Sequence, residues 1–173
     1  MIHPNTADSS LMEIALEEAE KARQHEEVPV GAVLIVQGRM FRGHNRVITD
    51  SDPSAHAELV VIREAARALG NYRLLDSRLV VTLEPCLMCY TTMLLSGIRS
   101  FVWAYEDVMG GGANLPLYML NTLYAQMRVH LFDRVLRAES LRLFQQFFQT
   151  GSYWQDSLLS RYTMAQTVEA ENP

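Results

Sequence analysis

Apolar residues recur at helical spacing near the N-terminal end, with Leu11, Ile14, Ala15, Ala19 and Ala22 on one face. Ser10 with Glu13 three positions on reads as a capping box, so a helix is expected from Ser10 to about Glu26. The stretch 30–36 is apolar and rich in β-branched residues, which predicts a buried strand. Gly38 and Arg39 turn it into a second strand over 40–44, and a polar loop follows over 45–53. Asp52 as a cap and Pro53 at the first helical position predict a helix from about Ser54 to Leu69, stopping at Gly70 and Asn71.

The alternation continues with a third strand over 78–84, broken by Pro85, a helix over about 86–95 and a fourth strand over 100–105. Three successive glycines, Gly110, Gly111 and Gly112, predict a flexible loop over 109–116. A short helix near 117–124, a fifth strand over 128–132 and helices over about 138–149 and 155–166 complete the pattern, and the tail after Val168 is expected to fray. Strands alternating with helices imply one α/β domain over 1–173, its helices covering a central sheet, with a C-terminal helical extension at about 150–167.

Composition narrows the function classes. Of 173 residues, 49% are hydrophobic and 20% charged, an ordinary globular balance that is neither disordered nor membrane-spanning. The first eight residues have no basic region and no apolar run, so no secretory signal is expected; the default is a cytoplasmic protein with reduced thiols and no membrane partner. The net charge of −5 argues against indiscriminate binding of polyanions. The cations are one lysine and fourteen arginines. Arginine suits planar contacts to phosphates and bases, although codon bias is the simpler account.

The chemistry begins with the cysteines. There are only two, Cys86 and Cys89, too few for a disulfide framework or a four-cysteine zinc module. Spaced C-x-x-C at a helix start, they project from one helical face. His56, at the start of another helix, can supply a third ligand, leaving a fourth tetrahedral position open for water, the pattern of a catalytic zinc site with one ion per chain. Glu58, two residues from His56, can stand beside that water and move protons. A thioredoxin-like redox pair fits the cysteines taken alone, and the His56-Ala57-Glu58 and Pro85-Cys86 neighbourhoods tilt the choice to zinc. Catalytically silent structural zinc stays open as a third reading. His3, His25 and His130 read as ordinary surface or packing residues, and Glu64 as a solvated helix residue.

These segments, with Glu27-Val28-Pro29-Val30-Gly31-Ala32-Val33, Asn45-Arg46 and Asn71-Tyr72-Arg73-Leu74, resemble the cytidine deaminase-like superfamily, and within it the bacterial tRNA adenosine deaminases. The resemblance implies a three-layer α/β/α sandwich with a mixed five-stranded sheet. It implies zinc on His56, Cys86 and Cys89, with Glu58 as proton shuttle. It further implies that Asn45 touches the base, that the Ala57 N–H lies at the pocket floor and that Asp107 stands at the pocket mouth. A homodimer follows from the same resemblance, with Met93, Leu94, Leu95 and Ile98 as candidate interface residues.

The chain departs from the tRNA-editing pattern at Val47, at Tyr90-Thr91-Thr92 and in the Gly110–Gly112 loop. Residues 138–173 hold two basic and four acidic residues, where a basic helix is expected to grip tRNA. They offer Phe147, Phe148, Tyr153, Trp154 and Tyr162 instead, which could stack bases or simply pack. The expected activity is therefore zinc-dependent hydrolytic deamination of a nucleobase, foremost adenosine to inosine in a tRNA anticodon loop. The alternative is a free base or nucleoside such as guanine or cytosine, with a thiol–disulfide oxidoreductase behind it.

Overall fold

The computed structural model describes residues 6–151 and 153–167. His3 and the tail expected to fray after Val168 lie outside the described residues. The elements run α1 (Thr6–Gln24), β1 (Gly31–Val36), β2 (Arg39–His44), α2 (Val47–Asp50), α3 (Ala57–Leu69), β3 (Arg78–Leu83), α4 (Leu87–Leu95) and β4 (Ser100–Tyr105). A 3₁₀ turn (Leu117–Met119), α5 (Thr122–Ala125), β5 (His130–Phe132), α6 (Arg137–Thr150) and α7 (Leu158–Ala165) complete the described chain.

The sheet has the order β2-β1-β3-β4-β5. β1 pairs antiparallel with β2 and β3, while β3–β4 and β4–β5 are parallel, so the sheet is mixed. Alternate residues of each strand face opposite layers. Ala32, Leu34, Leu79, Val81, Phe101 and Trp103 join the core that includes α3 and α4. Val33, Val80, Val102 and Ala104 meet Met12 and Ala15 of α1 on the other side, and α6 packs against α1, β3 and β4. The alanine face of α1 serves close approach. A Cβ on Gly31 would stand 2.0 Å from the Ala15 carbonyl oxygen, so helix and strand touch backbone to backbone.

Several boundaries differ from expectation for local reasons. α1 already runs from Thr6, so Ser10 lies inside the helix rather than capping it. The Asp8 carboxylate reaches Arg78 on β3 at 2.5 Å and ties that first turn to the sheet. α3 starts at Ala57, three residues after Ser54. The Asp52 carboxylate instead accepts from the Ser54 N–H at 2.8 Å and its hydroxyl at 2.6 Å, closing a turn around Pro53. The 45–53 segment contains the short helix α2, and 117–124 divides into the 3₁₀ turn and α5. Met93, Leu94 and Ile98, expected as candidate interface residues, are fully buried within this chain, whereas Leu95 is 53% exposed.

Candidate active site

The late start of α3 makes His56 its cap, with extended backbone (φ −66°, ψ 150°). Pro85 breaks β3 and makes Cys86 the cap of α4 in nearly the same conformation (φ −68°, ψ 168°). Neither helix end is capped by a side chain, so the positive ends of two helix dipoles converge on the ligand set. Cys89 follows one turn along α4 and is fully buried.

His56 Nδ1 lies 3.6 Å from Cys86 Sγ and 3.5 Å from Cys89 Sγ. A tetrahedral zinc with Zn–S of about 2.3 Å and Zn–N of about 2.05 Å requires N···S edges of about 3.55 Å. The donor set therefore fits zinc in chemistry and in spacing. All three donor atoms lie within 4.8 Å of one another, and among the described residues no other His, Cys, Asp or Glu group shares that geometry. A hydrogen bond from Cys89 is the largest influence on the Cys86 thiol, lowering it to about 4 against the opposing effect of burial. Glu58, on the first turn of α3, is 3% exposed. Burial pushes its carboxyl up to about 7.

A pocket of about 160 Å³ opens over this centre, lined among others by His56, Glu58, Cys86, Asn45 and Asp107. Ala57 is buried and does not line it. The buried Asn45 amide donates to Glu27 Oε2 at 2.8 Å, while Glu27 Oε1 accepts the Thr49 N–H at 2.7 Å. No described hydrogen bond uses the Asn45 carbonyl oxygen, which leaves it as an acceptor at the pocket wall. Asp107 accepts from the Met109 and Gly110 N–H groups, both at 2.9 Å, and so shapes the loop at the mouth.

That loop is not free, contrary to the expectation from its glycines. Gly111 bridges Cys86, and the Gly112 N–H donates to the Pro85 carbonyl at 2.8 Å. Glu84 accepts from the Asp107 N–H at 3.3 Å and the Ala113 N–H at 3.2 Å, clasping both ends. A Cβ on Gly111 would lie 2.6 Å from the Glu84 carboxyl carbon, and one on Gly112 would lie 2.7 Å from the Leu87 nitrogen. The glycines let the loop lie directly on the cysteine turn.

Glu27 and Glu84 were not singled out in the sequence, although Glu27 opens the Glu27–Val33 segment and Glu84 ends the third predicted strand beside Pro85; an acidic residue at the edge of an apolar strand was the available signal. The sequence also left Tyr153 and Trp154 undecided, and both line the pocket. His44, His25 and His130 do not line it. His44 Nδ1 meets Glu18 at 3.0 Å and its ring stacks on His25. Glu64 is exposed, as expected. Four carboxylates and no lysine or arginine line the pocket.

A family model for the cytidine and deoxycytidylate deaminase zinc-binding region matches residues 5–105. A tRNA-specific adenosine deaminase of Haemophilus influenzae is 38% identical over 144 residues, 82% of this chain and 83% of the relative. A solved structure from work on A-to-I editing by tRNA deaminases at the wobble position superimposes with a TM-score of 0.71 at 36% identity, covering 78% of this chain and 99% of the other. A guanine deaminase from Nitrosomonas europaea gives a TM-score of 0.68 at 24% identity, covering 80% and 83%, a likeness of fold.

Proposed function

The chain belongs to the cytidine and deoxycytidylate deaminase zinc-binding family, and from that premise we propose that this zinc-dependent deaminase converts adenosine to inosine in a tRNA anticodon loop. The observation that carries the reading is the donor set of His56, Cys86 and Cys89, with His56 Nδ1 at 3.6 and 3.5 Å from the two sulfurs and buried Glu58 beside it, in a chain similar over most of its length to tRNA-specific adenosine deaminases.

His56, Cys86 and Cys89 would hold the zinc, which supplies Lewis acidity and activates water as the nucleophile. Glu58 takes a proton from the attacking water and delivers it to the departing amine. The carbon bearing the exocyclic amine gains the water oxygen and loses ammonia. The Asn45 carbonyl oxygen, its amide fixed by Glu27, accepts from the base edge. The Ala57 N–H belongs to the uncapped first turn of α3 and has no intrahelical acceptor, so it adds to the positive helix end that carries His56 and Glu58. Asp107 holds the mouth loop in register with the pocket.

The pocket's lack of a cation fits a neutral base or nucleoside inside it, with phosphates outside. We assign the chain to the cytoplasm, as a homodimer. Exposed Leu87 and Leu95 on α4, with Tyr118, Met119 and Leu123, are among the exposed apolar side chains available for that contact. No described helix is long and apolar enough to cross a membrane.

An ammonia-release screen of the zinc-loaded protein against an anticodon stem-loop, adenosine, guanine and cytosine tests the substrate. Turnover of the stem-loop well above the free compounds supports the reading. Turnover of a free base alone replaces it.

A further inference from the structure

The helices α6 and α7 are both tied to the segment that leads into the pocket mouth. α7 is pinned back on the end of β4. The Tyr162 hydroxyl donates to Glu106 at 2.7 Å, and Tyr105 and Thr163 hydroxyls meet at 3.0 Å. Gln145 of α6 donates to the Gln166 carbonyl at 2.9 Å, and Arg137 holds Glu106 from the start of α6. Glu106 directly precedes Asp107 at the pocket mouth. The start of α7 is thereby held beside the mouth, and Tyr153 and Trp154, just ahead of it in sequence, join the pocket lining.

The two rings stack on each other with centroids 5.0 Å apart and planes 22° apart. Each side chain is 40% exposed, unlike the buried aromatic cluster of Phe144, Phe147 and Phe148 on α6. Trp154 adopts a left-handed backbone (φ 59°), a conformation costly for a bulky residue and held by the surrounding turn. The Trp154 carbonyl accepts the Ser157 N–H at 3.0 Å, and Ser157 then caps α7 through the Ser160 N–H at 3.0 Å. A half-exposed, pre-stacked aromatic pair beside a pocket without cations offers π-surface and no charge.

We infer that Tyr153 and Trp154 form a stacking platform at the mouth for a nucleobase that flanks the reacting one in a single-stranded RNA loop. It takes the place of the cationic grip that the acidic C-terminal segment lacks. Each base has a π-face, so the platform supplies affinity for the loop while the pocket beneath selects the reacting base. The inference rests on the RNA reading of the substrate given above.

The test is a cycle on zinc-loaded full-length protein. Inosine formation is followed in an anticodon stem-loop and in stem-loops made abasic at one or the other position flanking the adenosine. Trp154→Ala should lower kcat/KM on the intact loop by about 5- to 150-fold, chiefly through KM, the range that base–aromatic stacking confers. One of the abasic loops should cost wild type a similar factor, and Trp154→Ala should cost little more on that loop. Trp154→Phe should recover much of the loss, which separates stacking from a folding defect. Equal loss on intact and both abasic loops, or no loss at all, overturns the inference while the substrate reading stands. A wild-type protein that leaves the intact stem-loop unmodified overturns the substrate reading and this inference together.

Discussion

The side chain of Asn45 is held by Glu27: a carboxylate with no solvent exposure accepts a hydrogen bond from the Asn45 side-chain amide at 2.8 Å and another from the Thr49 N–H at 2.7 Å. This fixes which end of the Asn45 amide faces the pocket. Removing the carboxylate with Glu27→Ala frees the amide to rotate and leaves two donors unpaired. Hydrogen bonds to charged groups contribute about 1.5–3 kcal/mol, so kcat/KM should fall about 10- to 150-fold, mostly through KM. Glu27→Gln keeps one acceptor and should recover part of it. An unchanged KM in Glu27→Ala would show that Asn45 keeps its place without help.

The glycine loop separates into tolerant and intolerant positions. A Cβ at Gly112 meets the backbone of Leu87 and Cys86, whereas at Gly110 it meets only the far end of the Asp107 side chain, 2.9 Å away. Gly112→Ala should displace the cysteine turn, lowering both zinc content and turnover. Gly110→Ala should retain zinc, with a smaller loss of turnover. Equal zinc content in the two variants would contradict the packing described for the loop.

The ligand set predicts about one zinc per chain by elemental analysis. Cys86→Ser and Cys89→Ser should lose metal, and chelation should abolish turnover. Glu58→Gln should retain zinc while turnover falls at least 100-fold, the lower range for general acid–base groups. Metal-free active protein, or full activity in Glu58→Gln, would remove these residues from their roles.

Glu106 gives a pH-dependent contribution to stability. Burial raises its carboxyl, but hydrogen bonds from Arg137 and Tyr162 outweigh it and hold the group below its ordinary value. A depressed folded pKa stabilises fully above the unfolded value and is lost as pH falls through the folded one. Glu106→Gln should therefore cost about 1–3 kcal/mol in urea unfolding at neutral pH. The difference from wild type should shrink in acid, below the ordinary carboxylate range. A difference that stayed constant with pH would assign the effect to packing alone.

The strands and the metal ligands were legible because they rest on local signals. β1 and β4 show as uninterrupted apolar runs, and the cysteine spacing is set by one helical turn. The start of α3 was not legible. Asp52-Pro53 satisfies the rule for a helix start, yet the Asp52 side chain closes a turn with Ser54 and defers the helix to His56. The glycine loop read as flexible because nothing in Gly110-Gly111-Gly112 reveals that Glu84 clasps it from β3's end. Tyr153 and Trp154 stand outside any helical period, and only the pinning of α7 on Glu106 brings them to the pocket. Met93, Leu94 and Ile98 show the converse limit, since an apolar helix face looks the same whether it covers its own sheet or a second chain.

The most direct test of the account is to incubate zinc-loaded protein with an anticodon stem-loop in heavy-oxygen water and to analyse the nucleosides. The product should be inosine carrying the solvent oxygen at the former amine carbon, with ammonia released in equal amount. An adenosine left intact by the zinc-loaded protein, under conditions where zinc remains bound, would contradict it.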